Sequence, residues 1–213
     1  MINRKLLKTA MAGAVALLAA CGDSTGSSGS GTGSLSFSYS GVRSGSYSAT
    51  GEFKGGNSNF DGKPFAVGIR AIQPTGSVLA LISYQPVTSS KGNVVVFALP
   101  NISGTGSIDL TCASADFTTC AFASVIFDTD VTVEEEDGQT FLFTSGTVNV
   151  TTNSGGHLRG TFSGTAENFE GDSVITITNG TFDVPVRKDS DLSLDRSVAR
   201  TTRLLERHAK PEE

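Results

Sequence analysis

The chain has 213 residues, a formal net charge of −5, 25 glycines, three cysteines and no tryptophan. The acidic balance excludes the clustered lysine and arginine surface that a nucleic-acid backbone rewards. Abundant Gly, Ser and Thr suit short strands and many turns, while three tyrosines leave few anchors for an aromatic sugar-binding platform.

Arg4, Lys5 and Lys8 precede an unbroken small or apolar run from Thr9 to Ala20. This is the pattern of a cleaved export peptide, too short for an ordinary transmembrane helix and with no stop-transfer pattern behind it. Leu18-Ala19-Ala20-Cys21 resembles the bacterial lipobox, in which the cysteine is diacylated on sulfur and becomes the new N-terminus. That resemblance implies lipidation at Cys21, because several acyl chains anchor a protein stably where one holds it weakly. Asp23, second after Cys21, resembles an inner-membrane retention signal of enterobacterial lipoproteins; inner and outer membrane both stay open. Removal of residues 1–20 leaves 193 residues and moves the formal charge to −8, since Arg4, Lys5 and Lys8 leave with them. Binding to the bilayer then falls to the lipid.

Residues 21–33 are the lipidated cysteine and its tether. Gly22–Gly33 is a Gly/Ser coil that separates a folded domain from the membrane by about 2 nm. The folded domain is expected over 34–186. Leu35, Phe37 and Tyr39 alternate with serines, the period of a half-buried strand, and Tyr47, Ala49 and Phe53 continue on one face of a second. Asp61-Gly62-Lys63-Pro64 is a tight-turn sequence. Phe65–Ile72 and Ser77–Tyr84 read as strands, and Asn93–Leu99 is the most apolar and expected to be central. Ser107–Cys112, Cys120–Phe127, Val131–Glu134, Thr140–Phe143 and Gly146–Thr152 follow, with Glu135–Gly138 as a charged hairpin tip.

In His157–Ala166, Leu158, Phe162 and Ala166 face one way, with Gly160 and Gly164 between them. His157, Arg159, Thr161, Ser163 and Thr165 face the other way. Ser173–Thr178 and Thr181–Val186 are joined or bulged at Asn179-Gly180, and Pro185 suits an edge or a strand end. The fold class expected is all-β, an antiparallel β-sandwich or partly open barrel of about 11–12 short strands.

The tail, 187–213, changes character: seven of the sixteen Lys and Arg residues lie there. Leu194, Val198, Thr201 and Leu205 share one helical face, and Arg196, Arg200, Arg203 and Arg207 the opposite one. A short amphipathic helix fits this pattern, docked on the domain or lying on a membrane.

With Cys21 assigned to the anchor, Cys112 and Cys120 form an even pair in an exported protein, most simply a disulfide. The seven residues between them, flanked by two strands, place the bond at a hairpin end. No further soft ligand is near for a metal site.

The order of DGKPF at Asp61–Phe65, LPNISGTGSIDL at Leu99–Leu110, GTFSGTA at Gly160–Ala166 and ITITNGTFDVPV at Ile175–Val186 resembles a family of bacterial envelope lipoproteins common in Bacteroidetes. The likeness spans about 50 to 186 and rests on turns and strands. It implies a β-sandwich and carries no catalytic residues. Phe65 stands where that family usually has Trp, and the Cys112–Cys120 pair is not one of its general features.

Chemistry is sparse. His157 is the single histidine of the folded region, without the strand-to-helix setting of a nucleophile elbow. Asp109, Asp116, Asp128, Asp130, Glu134, Glu136 and Asp172 could supply the two carboxylates of a glycosidase, but each also reads as a solvated strand or turn. Asp128, Asp130, Glu134 and Glu136 offer hard oxygen ligands for calcium without EF-hand spacing. A solubilising charged hairpin tip that also blocks edge pairing is the favoured reading of them. No cofactor is required by any motif.

These residues imply a non-enzymatic, lipid-anchored cell-envelope protein in a binding or structural role, facing the periplasm or the exterior, with a glycan or envelope-protein partner. The alternatives are an accessory subunit of a membrane or envelope complex, docked through Leu194–Leu205, and a carboxylate-dependent hydrolase acting on glycans.

Overall fold

The computed structural model describes residues 31–53, 62–73, 76–110, 120–130, 138–168 and 171–188. The proposed anchor Cys21, the tether up to Ser30, Cys112, Glu134, Glu136 and the tail beyond Lys188 lie outside the described residues. So do the expected strand Val131–Glu134 and most of the charged tip.

Among the described residues there are ten strands: β1 Thr32–Gly41, β2 Gly45–Glu52, β3 Phe65–Gln73, β4 Gly76–Pro86, β5 Lys91–Pro100, β6 Gly106–Asp109, β7 Phe122–Asp130, β8 Gln139–Ser154, β9 His157–Asn168 and β10 Val174–Lys188. The fold is all-β, but it closes. β10, β3, β4, β5, β7, β8 and β9 follow one another round a barrel, β1 and β2 extend from β10, and β6 extends from β8. The pairing is mixed, because Val186–Lys188 of β10 runs parallel to Gly68–Arg70 of β3. All other pairings are antiparallel.

Closure comes from strands longer than the sequence suggested. The expected pairs Thr140–Phe143/Gly146–Thr152 and Ser173–Thr178/Thr181–Val186 are single strands, β8 and β10, of 16 and 15 residues. Each changes partner along one edge. β8 pairs with β7 through Gln139–Leu142 and with β6 through Thr147–Val150. β10 pairs with β1 through Ile175–Asp183 and then with β3. β6 and β7 are therefore not the two arms of a hairpin, as their spacing implied. They lie end to end along β8.

Of the two options at Asn179-Gly180, the bulge is the one found. Asn179 takes a left-handed φ of 53°, and the register slips by one residue against both β9 and β1. A side chain on Gly180 would meet the Phe162 carbonyl and ring at 2.4 and 2.7 Å, so the bulge also makes room for that ring. Pro185 sits where one edge of β10 changes partner. Val186 N–H donates across to Gly156 on the β9 side, so the missing Pro185 donor faces the gap between β1 and β3.

The interior is filled. Phe162 meets Phe97 edge-on at 4.9 Å and Phe37 at 5.7 Å, Phe37 stacks on Tyr47 at 5.0 Å, and Phe127 meets Phe141 edge-on at 5.9 Å. These separations are those at which aromatic quadrupoles attract. Tyr47 keeps its hydroxyl satisfied by donating to Ser83 Oγ at 2.9 Å, and Ser83 donates to the Phe65 carbonyl at 3.0 Å. Burial pushes the Tyr47 phenol up, against the opposing pull of the Ser83 hydrogen bond.

The barrel has two unlike halves. In β1, β9 and the first part of β10 apolar residues face in and polar ones out, and Leu158, Phe162 and Ala166 point inward as their spacing predicted. Neither face is exposed over Phe65–Ile69 of β3 or Val78–Tyr84 of β4, and β5 and β7 follow suit. Val94 through Leu99 are all buried, as are Phe122 through Phe127.

Candidate functional site

The outward face of the continuous antiparallel sheet β2-β1-β10-β9-β8-β6 carries the most regular chemistry among the described residues. One cross-strand row runs Ser48, Ser36, Thr181, Thr161, Asn149, Ser107, each directly opposite the next. Five of the six are exposed and Ser36 is half-exposed. Neighbouring strands stand about 4.8 Å apart, so the row spans about 24 Å. Two shorter stretches run beside it on the same side, Ser46–Ser38–Thr178 and Ser163–Thr147–Asp109. Ser36 and Thr181 hydrogen-bond each other at 3.0 Å. The face follows from sequence alternation: a strand with apolar residues on the core side presents Ser and Thr to water, and β-branched Thr suits a strand.

The row ends at a hollow. Pro100–Ile108 and Val150 enclose about 200 Å³, and Ser107 belongs to both row and hollow. The wall of this hollow is held in place. Arg70 Nη1 donates to the Ile102 carbonyl at 2.8 Å and Nη2 to Asn153 Oδ1 at 3.2 Å. Asn153 Nδ2 in turn donates to Ile102 and Gly104 carbonyls at 3.4 and 3.5 Å. Asn101, at a φ of 53°, exchanges bonds with Ser77 through N–H and Oδ1. Ligand pockets for drug-sized molecules run about 300–1,000 Å³, so this hollow takes a single ring or side chain. Sequence reasoning missed Arg70 and Asn153. The available signal was one arginine inside the apolar run Phe65–Ile72.

On the same outer surface, Asp183 receives Arg159 Nε at 2.9 Å and lies 3.3 Å from His157 Nδ1. A His–Asp contact orients a catalytic base when the other nitrogen faces a nucleophile. Together Arg159, Asp183 and His157 form a polar rim to the hydroxyl face.

The calcium candidates are divided. Asp128 is held by Arg43 at 2.7 Å, and the same guanidinium lies 4.6 Å over the Phe127 ring. Asp128 has a left-handed φ of 57° at a bulge of β7, where its N–H donates to Asn93 Oδ1 at 3.0 Å. The bulge separates it from Asp130, which pairs in register with Lys91. Burial, and secondarily the Asp130 charge, raise the Tyr84 phenol pKa. Among the described residues no group of three or more His, Cys, Asp or Glu could hold a metal ion. Asp172 is tied into a turn by Asn168 Nδ2 at 2.8 Å, and Asp109 ends β6. Asp116, like Glu134 and Glu136, lies outside the described residues, and among the described ones no two candidate carboxylates meet across this hollow. Cys120 immediately precedes the segment entering β7.

The fold and this surface define a class: an all-β protein on a closed, filled, mixed barrel, with a hydroxyl-lined outer sheet. No protein-family model, curated protein or solved structure matches the chain.

Proposed function

We propose that the protein is a non-enzymatic, lipid-anchored envelope protein that binds a hydroxyl-rich glycan of the envelope along the row Ser48–Ser107. The observation that carries this reading is the row itself, polar along six strands and continuous with a fastened hollow. The filled interior supports it too, because a ligand has to be met on the outside.

The physics sets the strength. Each hydroxyl contact exchanges water bonds for glycan bonds and nets about 0.5–1.5 kcal/mol. Without an aromatic platform, single sugars bind weakly, and a polymer held by many anchored copies gains by multivalency. Asp183, Arg159 and His157 at the rim suit a glycan bearing both charged and neutral groups.

The anchor part rests on the lipobox resemblance, and the envelope-lipoprotein resemblance remains part of this proposal. The Cys112–Cys120 bond belongs to it as well, as the even pair left in an exported chain once Cys21 is assigned to the anchor. β6 and β7, which precede and follow the pair, are both fixed along β8, so the bond would close the gap between their ends.

The test is co-sedimentation of the purified protein with insoluble envelope polysaccharide, alongside Thr161→Val/Thr181→Val. Retention that falls at least fivefold in the variant, with unchanged thermal unfolding, supports the reading. Equal retention of the two proteins, or none of either, overturns it. Labelled palmitate that fails to enter the wild type, or enters Cys21→Ala equally, removes the anchor.

A further inference from the structure

The outward face of the barrel's other half is apolar and covered. Three cross-strand rows cross it: Phe65–Tyr84–Val94–Ile126–Thr140, Val67–Ile82–Val96–Ser124–Leu142 and Ile69–Ala80–Ala98–Phe122. All of these side chains are buried, though they alternate with the residues that fill the interior. The described residues that are not in strands are short turns, too small to roof five strands. Ser124 adds a second observation: its hydroxyl is fully buried in the middle row and has no hydrogen-bond partner among the described residues. It points to a layer over the wall.

We infer that the chain's own C-terminal segment, 189–213, is that layer, docked on the outer wall of β3, β4, β5, β7 and the start of β8 through Leu194, Val198, Thr201 and Leu205. The point of departure fits. β10 ends at Lys188 opposite Arg70 of β3, and Arg187, opposite Ile69 on the wall side, already lies 5.6 Å over the Phe53 ring. Length fits too. Five strands span about 19 Å, and the twelve residues from Leu194 to Leu205 form a helix about 18 Å long. Pattern fits as well, because the apolar stripe meets the wall while Arg196, Arg200, Arg203 and Arg207 stay in water. The other segments outside the described residues are poorer occupants: 54–61 and 131–137 are short and polar or charged, and 111–119 is short and hydroxyl-rich. The apolar run Thr9–Ala20 is removed on export, a step that rests on the envelope-lipoprotein reading above.

The experiment places a photo-crosslinking benzoylphenylalanine at Val198 or at Arg200 of the full chain expressed in the producing cell. Position 198 is expected to crosslink within the same molecule to peptides spanning 78–98 or 122–126, at least tenfold more than position 200. In parallel, the thiol of Val96→Cys is expected to react with maleimide at least tenfold faster when Leu194→Asp, Val198→Asp and Leu205→Asp are added. Crosslinks from position 198 to a second copy, to another protein or to lipid overturn the inference, as does a Val96→Cys thiol equally reactive in both backgrounds. The mass of the purified protein reports separately whether 1–20 has been removed. An uncut chain with crosslinks from position 198 to the wall would refute the export reading and leave the docking intact.

Discussion

The buried relay from Tyr47 through Ser83 to the Phe65 carbonyl yields a prediction with an asymmetry built in. Tyr47 and Ser83 are 1% and 0% exposed, and the two bonds measure 2.9 and 3.0 Å. Ser83→Ala leaves the Tyr47 donor buried without an acceptor, which costs about 1–3 kcal/mol. Tyr47→Phe removes that donor while Ser83 still donates to Phe65, so only a net hydrogen bond is lost, about 0.5–1.5 kcal/mol. The double variant removes the stranded donor and the acceptor together. It should be no less stable than Ser83→Ala alone. Urea unfolding of the four proteins at equal m-value closes the cycle. Costs that simply add, within about 0.5 kcal/mol, would mean that the hydroxyls are not coupled and the relay is wrong.

The same phenol bears on pH. Unfolded tyrosine ionises near pH 10, while burial raises Tyr47 and Tyr84 in the folded protein. Their contribution is fully present below about pH 10 and is lost as pH rises toward the folded values. Their phenolate absorbance should appear only together with alkaline loss of structure; earlier appearance counts against burial. Gly160→Ala would drive a Cβ to 2.3 Å from the Asn149 carbonyl and 2.5 Å from the Phe182 ring, so it should cost about 1–3 kcal/mol in urea unfolding. Asp128→Gly should be more stable than Asp128→Ala by about 1–2 kcal/mol, because both lose the Arg43 pair but only Ala suffers the left-handed φ; equal values would deny the strain. Ser124→Ala should raise the unfolding free energy by about 1 kcal/mol by deleting an unpaired buried hydroxyl, and a loss would reveal a partner for it.

Strand positions were legible wherever one face meets water. Leu35, Phe37, Leu158 and Phe162 all point inward as alternation required. Closure was not legible, because it depends on Val186–Lys188 pairing with Gly68–Arg70, more than a hundred residues away. Period gives a face, never a partner. The Asn179-Gly180 signal was locally correct about the left-handed residue, and only the partners on both sides decided between a turn and a bulge. The hollow was invisible for a similar reason. Arg70, Ile102 and Asn153 come from three distant stretches and converge through the barrel.

Asn93–Leu99 was expected to be central because it is so apolar, and it does lie in the middle of the wall formed by β3, β4, β5, β7 and the start of β8. Centrality alone does not explain its composition. An inner strand with one wet face alternates, as β9 does, whereas Val94–Leu99 and Phe122–Phe127 do not alternate at all. A strand apolar on both faces requires a layer on both, and the barrel interior supplies only one. The third layer therefore has to lie opposite the hydroxyl sheet, since that sheet is the half whose outer face is polar. Covering one wall and leaving the other bare follow from one division of the sequence. That same division leaves the row from Ser48 to Ser107 facing water.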